Sequence, residues 1–301
     1  RDRERGYTMH HAISQDKQGN ILATVSKTSA KIANGKDVRI NDFIIMMDPE
    51  KGEILQEWDL VHMLDSARYG MTDYDLTSDP FAQSASNWAH NNGIVEWGDD
   101  YLATARYQGI FKFNKAGGIE WIISPHGYWR DKYLKLLLNP LHADGTPITD
   151  PEVIAGTKTC DDFEWPWGCH TAVPLPNGHI LYFNNGYGRN FKLDFTDRKN
   201  IYTCGIEYEV DEVNRTVRQV WQYGKERGAA YFTPARSGVQ YLEQTGNRLI
   251  CPGMSNVLSN GNRGARVTEV DPETQDVVFE LELEDAIYQR VYRMSLYPEN
   301  Q

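Results

Sequence analysis

The sequence predicts an all-β fold and, within that class, a β-propeller with about four visible blade units. Aromatic residues (17 Tyr, 8 Trp and 10 Phe) and 25 Gly are abundant among the 301 residues, and they suit pleated, half-buried strands joined by tight turns. One pattern of strands also recurs about every 70 to 80 residues. Each copy supplies four strands, which is the content of one propeller blade.

The first half of each copy is a strand, a turn with glycine and a second strand. Three copies begin with a histidine (His11, His90 or His170) about eight residues before the turn glycine, and residues 238–249 form a fourth copy without a histidine. The second half is a hairpin, in which Asp-Pro, Gly-Gly or Asn turns join alternating apolar and polar residues. The hairpins occupy residues 43–58, 110–121, 206–221 and 266–280.

Insertions account for the length of the copies, because typical blades have about 40 to 50 residues. Residues 128–138 have helical spacing and end before Pro140, which predicts a helix. We expect a short helix and a loop within residues 61–88, and a lone strand at 291–297 that joins the sheet of another blade. Residues 1–301 are thus predicted to form one propeller domain.

The composition excludes several classes of protein. Apolar residues are 40% and charged residues 24% of the chain, as in folded proteins and unlike disordered ones. The net charge of −11 repels nucleic-acid backbones and anionic lipids. No run of about 18 apolar residues is present, so no spanning helix is expected. We therefore expect neither nucleic acid nor membrane as a partner.

The start of the chain and its cysteines carry two further expectations. Residues 1–5 (Arg-Asp-Arg-Glu-Arg) lack Met and an apolar signal core, which predicts that upstream sequence is missing. Four cysteines without paired CxxC spacing are too few for a disulfide scaffold, although they allow one local disulfide. Cys160 and Cys169 are the best-placed pair; the other two are Cys204 and Cys251.

Three histidines at equivalent positions predict a shared site. In a propeller the innermost strands line a central channel, so His11, His90 and His170 would converge on it. An isolated histidine at a strand start is more often structural, but three in register favour an active site. His10 is expected on the opposite face if its strand is regular. The histidines outside this register are His62, His126, His142 and His179.

Two polar residues accompany the histidines. Asn92 shares the strand face of His90, and Arg106 lies on the next strand. A guanidinium fork beside imidazoles and an amide is suited to sulfate, phosphate or carboxylate. Two alternatives remain open: Arg106 as a surface or interblade ion pair, and Asn92 as a turn residue before Gly93.

The usual cofactor and nucleophile motifs are missing from the sequence. It contains no GxxxxGK[ST] loop, no GxGxxG after a strand, no GxSxG and no HExxH. We therefore expect chemistry performed directly by histidine, or by a metal that His11, His90 and His170 would hold with one open position.

Several stretches resemble one known family over nearly the whole chain. They are His10-His11, residues 87–92 (NWAHNN), 165–172 (WPWGCHTA), 220–228 (VWQYGKERG) and 292–297 (YRMSLY). Together they resemble the bacterial PAPS-independent arylsulfate sulfotransferases. The resemblance implies a periplasmic six-bladed propeller with an added N-terminal β domain, of which this chain would be the C-terminal portion. Because only about four blade units are visible, a closed four-bladed ring is the alternative.

The resemblance also implies roles for individual residues. His170 would be the nucleophile that forms a transient sulfohistidine, and Thr171 after it would add a hydroxyl. A disulfide close to the nucleophile is implied as well, again Cys160 with Cys169. The stretch 225–233 is expected to reach the pocket. The sulfate would be bound by His90, Asn92 and Arg106, with His11, or less favourably His10, as a further site histidine.

The activity implied is ping-pong transfer of a sulfuryl group from a phenolic sulfate ester to a phenol. No cofactor is expected, the partners are a small-molecule aryl sulfate and a phenol, and a homodimer is one compatible oligomeric state. Aromatic side chains near the channel mouth would stack on the aryl groups or pack the core, among them Trp88, Trp167, Tyr187 and Tyr231. Two alternatives stay open: a metal-dependent propeller hydrolase that uses the three histidines, and a non-catalytic ligand-binding propeller.

Overall fold

The described part of the chain folds into four sheets that are antiparallel except for one edge strand and are connected by loops and short helices. The structure, a computed structural model, describes residues 6–34, 37–68, 88–192, 196, 198–255 and 257–284. The prediction of an all-β fold is confirmed.

The strands of each sheet pair in chain order, except for one added edge strand in the third sheet. The first sheet contains β1 (Tyr7–Gln15), β2 (Ile21–Asn34), β3 (Asp37–Met47) and β4 (Ile54–Asp59). The second contains β5 (Asn91–Trp97), β6 (Asp100–Ala105), β7 (Gly109–Phe113) and β8 (Ile119–Ile123). The third contains β10 (His170–Pro174), β11 (Ile180–Asn184), β12 (Cys204–Asp211) and β13 (Thr216–Tyr223), with β9 (Asn139–Leu141) parallel to β13 at its edge. The fourth contains β14 (Gly238–Tyr241), β15 (Arg248–Cys251), β16 (Gly264–Val270) and β17 (Val277–Glu284).

The described helices are all short. They are α1 (Leu60–Met63), α2 (Asp131–Leu134), α3 (Pro151–Ala155) and α4 (Gly228–Tyr231), with 3-10 turns at Arg189–Phe191, Arg198–Asn200 and Lys225–Arg227. Within the described ranges, no helix has the length and apolar character needed to cross a bilayer.

The repeated strand pairs and hairpins form as predicted, whereas one predicted helix is shorter. Of residues 128–138 only α2 is helical, because the chain then returns to β8: the Leu138 N–H donates to the Ile122 carbonyl at 3.0 Å. The short helix expected within 61–88 is α1. Residues 69–87 and the strand predicted at 291–297 lie outside the described residues.

Successive sheets pack face to face through aromatic clusters. Trp58 and Phe113 meet between the first and second sheets with ring centroids 5.4 Å apart. One buried cluster joins the second and third sheets, and another, which includes Phe183 and Ile250, joins the third and fourth. The first strands of the sheets also touch one another, β1 with β5, β5 with β10 and β10 with β14. This packing gathers the starts of the first strands, where the predicted site residues lie.

Candidate active site

The structure brings His11, His90 and His170 together at the first strands of three sheets. His11 lies in β1, His90 directly precedes β5 and His170 opens β10. Nε2 of His11 is 3.1 Å from Nε2 of His90, and the ring centroids of His11 and His170 are 6.2 Å apart. Three imidazoles from residues far apart in sequence therefore form one cluster.

Unusual backbone angles occur where each sheet contributes to this cluster. His11, His90 and Thr171 have φ angles of +55°, +52° and +46°, in a region that costs non-glycine residues roughly 1 to 3 kcal/mol. Strand pairing also shifts in register at these places. Such strain is typical of functional sites, where the surrounding structure holds it.

The bulge in β1 corrects the expectation for His10. The strand is not regular, since its pairing with β2 shifts between Met9 and Ile13. His10 consequently does not face away from His11: the two rings have centroids 5.0 Å apart, and their Nδ1 atoms are 2.9 Å apart. His10 belongs to the cluster.

His170 is held in a defined protonation state. Its side chain is buried, and Nδ1 lies 2.6 Å from Oδ1 of Asn185 and 3.3 Å from the carbonyl of Gly168. Both partners are acceptors, so Nδ1 carries the hydrogen and Nε2 keeps its lone pair. The amide nitrogen of Asn185 donates to the carbonyls of Thr233 and Arg236 at 2.9 and 3.1 Å, which directs Oδ1 toward the imidazole.

Asn185 is a site residue that the sequence analysis missed. It directly follows β11, the second strand of its sheet, just as Arg106 directly follows β6. The equivalent positions of Asn185 and Arg106 in two sheets were the signal that could have identified Asn185 as a site residue. Because the two side chains differ in chemistry, a search for repeated residue types could not detect it.

Arg106 is buried beside the cluster and is not a surface ion pair. It is 2% exposed, and its Nη2 donates to the Pro234 carbonyl at 2.7 Å. Its guanidinium carbon lies 4.7 Å from the ring centroid of Tyr187. Gly168 permits this packing, because its φ is +62° and an added Cβ would lie 3.0 Å from Cβ of Tyr187. The guanidinium is thus fixed from several sides.

Asn92 links the second sheet to the His170 strand. Its Nδ2 donates to the Cys169 carbonyl at 2.8 Å, and its Oδ1 accepts from the Thr104 hydroxyl at 2.6 Å. It therefore does more than form a turn, and its binding of sulfate stays a prediction. Thr171 is buried next to His170, and the role of its hydroxyl also stays a prediction.

The predicted disulfide between Cys160 and Cys169 is wrong: the structure shows both as free thiols. The two side chains have different surroundings. Cys169 Sγ is buried 4.0 Å from the Ala105 carbonyl, whereas Cys160 Sγ lies in a loop and donates to Asp162 at 3.1 Å. Burial raises the pKa of the Cys169 thiol to about 12, which keeps it protonated.

One group of side chains in the described part of the chain has the spacing of metal ligands, and it lies outside the histidine cluster. Among the described residues, the group whose ligand atoms all lie within 4.8 Å of one another is His142, Cys160 and Asp162. His11, His90 and His170 do not form such a group in that part of the chain. The short contacts of His142 and Cys160 are explained by hydrogen bonding, since both lie near 3 Å from the Asp162 carboxylate.

The remaining predicted neighbours are placed as follows. The segment expected to reach the pocket does so at its end, through Thr233, and the contacts continue to Pro234 and Arg236. The four aromatic residues proposed for the channel mouth, Trp88, Trp167, Tyr187 and Tyr231, are buried. The histidines outside the register have partners elsewhere: His62 with Asp59, His126 with the Leu138 carbonyl, His142 with Asp162 and His179 with Glu207.

Burial keeps the clustered imidazoles neutral. Burial, and then the charge of Arg106, lowers the pKa of His170 to about 3. Burial, and then neighbouring His10, lowers the pKa of His11 to about 3, and burial holds the pKa of His90 well below its usual value. A neutral imidazole at pH 7 is nucleophilic, so His170 is ready to attack an electrophile.

We expect the protein to lose stability as the pH falls below about 6.5, the usual histidine pKa. Because the folded pKa of His170 is about 3, the unfolded chain binds more protons between these values, and the free energy of unfolding falls by up to about 1.4 kcal/mol per pH unit for this group. Between pH 7 and 5 the free energy of unfolding, measured by urea denaturation, should fall less for His170→Asn than for the wild type. His62→Asn, at an exposed site, should show the same fall as the wild type. An equal fall for wild type and His170→Asn would contradict the lowered pKa of His170.

A family model and two curated relatives agree on one family. A model of the family described as Arylsulfotransferase (ASST) matches residues 1–293. Two curated relatives named arylsulfate sulfotransferase AssT, from Escherichia coli O6:H1 and Lelliottia amnigena, are 28% and 29% identical over 316 residues. The matches cover 95% of this chain and 52% of each relative, so the chain spans about half the length of the curated relatives it matches.

The structural comparison is weaker. A solved chain from Bacteroides uniformis aligns over 89% of this chain and 72% of that chain, with 12% identity and a TM-score of 0.35. A likeness at this level supports no argument about fold or function.

Proposed function

The chain belongs to the arylsulfotransferase family, and on that premise we propose that it moves a sulfuryl group from a phenolic sulfate ester to a phenol in two steps, through a sulfohistidine at His170. The observation that carries the proposal is the buried imidazole of His170. Its Nδ1–H is held by Asn185 at 2.6 Å, which leaves the Nε2 lone pair for attack. The curated relatives carry the matching name arylsulfate sulfotransferase.

The two steps share one nucleophile. In the first, Nε2 of His170 attacks sulfur, the N–S bond forms, and the S–O bond to the aryl group breaks with its electron pair on oxygen, so a phenolate leaves and takes up a proton from solvent. In the second, the oxygen of the acceptor phenol attacks the same sulfur, its proton passes to solvent, and the electron pair of the N–S bond returns to Nε2. Splitting the transfer in this way avoids bringing two phenols together at once.

Arg106 is placed to stabilise the transferring group. In-line transfer spreads negative charge over the equatorial sulfuryl oxygens, as in phosphoryl transfer, and fixed donors in a dry site stabilise such charge. The Arg106 guanidinium is buried within the same cluster as His170 and acts on its titration. Its planar fork is suited to two oxygens at once.

The larger architecture is part of the proposal. The four sheets pack as successive blades would, and the chain spans about half of its curated relatives. On the resemblance to the family, we propose that residues 1–301 form the C-terminal portion of a six-bladed propeller, located in the periplasm and acting without a cofactor. Its partners would be a small aryl sulfate and a phenol.

A covalent adduct is expected when the protein meets a chromogenic aryl sulfate in the absence of acceptor. Mass spectrometry after digestion should show a sulfuryl increment on the peptide that contains His170, together with one equivalent of released phenol. Adding a phenol should remove the increment.

His170→Asn serves as the control and should show neither adduct nor burst. A wild-type protein that turns over aryl sulfate with no adduct, and loses that activity to a chelator, would instead support the metal-dependent hydrolase. Binding without turnover would support a non-catalytic propeller.

A further inference from the structure

A group of imidazole, thiol and carboxyl side chains lies outside the histidine cluster, in the insertion that connects β8 to β10. We call it the loop cluster, and it consists of His142, Cys160 and Asp162. One ligand atom from each residue lies within 4.8 Å of the other two. Imidazole nitrogen, thiolate sulfur and carboxylate oxygen are the three kinds of donor that Zn²⁺ takes in proteins.

The distances within the loop cluster are close to those between ligands of one metal ion. Nδ1 of His142 is 3.0 Å from Oδ1 of Asp162, and Sγ of Cys160 is 3.1 Å from the same oxygen. Zinc bonds of about 2.0 to 2.3 Å place the ligand atoms of a tetrahedron about 3.3 to 3.7 Å apart. The two short contacts therefore need to lengthen by only about half an ångström to admit the ion.

Backbone hydrogen bonds hold the ligands of the loop cluster in place. The His142 N–H donates to the Thr146 carbonyl at 2.8 Å, and the Gly145 N–H donates to the His142 carbonyl at 2.9 Å, which closes a tight turn. Oδ2 of Asp162 accepts the Ala143 N–H of that turn at 2.9 Å. Carboxylates that bind metals are oriented by outer hydrogen bonds of this kind. The two loops are thus joined before a metal arrives.

Solvent can reach the loop cluster. The side chains of His142 and Asp162 are 39% and 38% exposed, and Cys160 is partly buried. A metal ion can therefore enter without opening the core. Three protein ligands leave one position of a tetrahedron for water.

The charges around the loop cluster favour a cation. Asp144 is near enough to interact electrostatically with His142 and Asp162, so it adds negative charge. The cations beside the cluster in the described part of the chain have carboxylate partners of their own: Lys158 with Asp150, and Arg218 with Glu209.

We propose that the loop cluster binds one Zn²⁺ ion through Nδ1 of His142, Sγ of Cys160 and a carboxylate oxygen of Asp162, with water in the fourth position. The thiolate selects the class of metal, because the hard ions Mg²⁺ and Ca²⁺ take oxygen ligands. The site shares no residue with the histidine cluster, so it does not depend on the proposed function.

Binding of the ion releases one proton. In the metal-free protein the Cys160 thiol and the Nδ1–H of His142 both donate to Asp162. When sulfur bonds to the metal, the thiol proton passes to solvent, whereas the imidazole hydrogen moves to Nε2 and the ring stays neutral. Burial raises the pKa of the Cys160 thiol, so this proton is present at pH 7.

The ion joins two loops of the insertion that leads to His170. His142 follows β9, Cys160 and Asp162 follow α3, and seven residues separate Asp162 from His170. A ligand that binds only the folded state stabilises it. We therefore expect Zn²⁺ to raise the midpoint of thermal unfolding and to slow hydrogen exchange in residues 142–162.

Direct metal binding tests the loop cluster. Wild-type protein, freed of metal and kept reduced, should bind one Zn²⁺ per chain in calorimetry and release one proton. Co²⁺ in its place should give the near-ultraviolet band of a sulfur–cobalt bond. Cys160→Ser and His142→Gln should bind Zn²⁺ about 10²-fold more weakly or worse, since loss of an outer partner alone costs about 10- to 100-fold. Cys160→Ser should also lack the sulfur–cobalt band.

His62→Gln is the matched control, because His62 also faces a carboxylate, Asp59 at 3.7 Å, but belongs to no three-residue ligand group within the described ranges. It should bind Zn²⁺ as the wild type does, and so should His170→Asn. No binding by wild type, equal affinity in Cys160→Ser, or binding lost in His170→Asn would overturn the loop-cluster site. None of these results bears on the sulfuryl adduct at His170, and a missing adduct would overturn the proposed function alone.

Discussion

Replacing His170 by asparagine is expected to abolish sulfuryl transfer, with kcat/KM falling by about 10⁴-fold or more, as when other covalent enzymes lose their nucleophile. The asparagine amide can donate to the two acceptors around Nδ1, Oδ1 of Asn185 and the Gly168 carbonyl, but it has no lone pair of comparable nucleophilicity. His170 is 2% exposed. The other imidazoles of the cluster face one another, His11 with His90 at 3.1 Å and His10 with His11 at 2.9 Å, so we expect none of them to replace Nε2 of His170 as the nucleophile. Steady-state transfer from an aryl sulfate to a phenol is the measurement.

A cavity variant separates loss of the nucleophile from loss of structure. His170→Gly leaves a space of imidazole size beside Asn185, and added imidazole should restore part of the transfer. His170→Asn fills that space and should not respond. Transfer by His170→Asn within tenfold of wild type would rule out the sulfohistidine.

The repeat made the histidine cluster predictable from sequence. The first strands of three sheets pair with their second strands from the turn onward and shift in register near the histidine, so equal distances from Gly19, Gly98 and Gly178 place residues at equivalent points of three sheets. The packing of successive sheets then brings those points together. A pattern that is local within each sheet thus predicts a contact between distant residues.

Other parts of the site depend on features that the sequence pattern does not report. Asp42 reaches the cluster through a contact with Asn91 of another sheet, and His10 turns inward because of a bulge in β1. A β-bulge adds one residue to a strand and re-aims the side chains beside it. Alternation assumes a regular strand, so it assigned His10 to the wrong face.

Tertiary structure also overrode two local expectations. The helical spacing of residues 128–138 yields only α2, because hydrogen bonds to β8 compete for the end of the segment. Propensity is a weak prior that such contacts routinely exceed. The cysteine pair failed for a related reason: closeness in sequence does not set the direction of the two Cβ atoms, which a disulfide requires.

Replacing Arg106 by alanine is expected to lower kcat by about 10²- to 10³-fold, the loss of about 2.7 to 4 kcal/mol that follows removal of one donor from a preorganised oxyanion site. The effect should fall mainly on kcat, since charge on the sulfuryl oxygens is greatest in the transition state. Arg106→Lys should recover little, because the contacts with the Pro234 carbonyl and the Tyr187 ring use the planar guanidinium. Arg248→Lys is the control. Arg248 is also a buried arginine, but it lies away from the cluster and pairs with Glu207 at 2.7 Å, so this variant should keep a near wild-type kcat. A loss in Arg106→Ala that appears only in KM would show that the guanidinium binds the donor without stabilising the transfer.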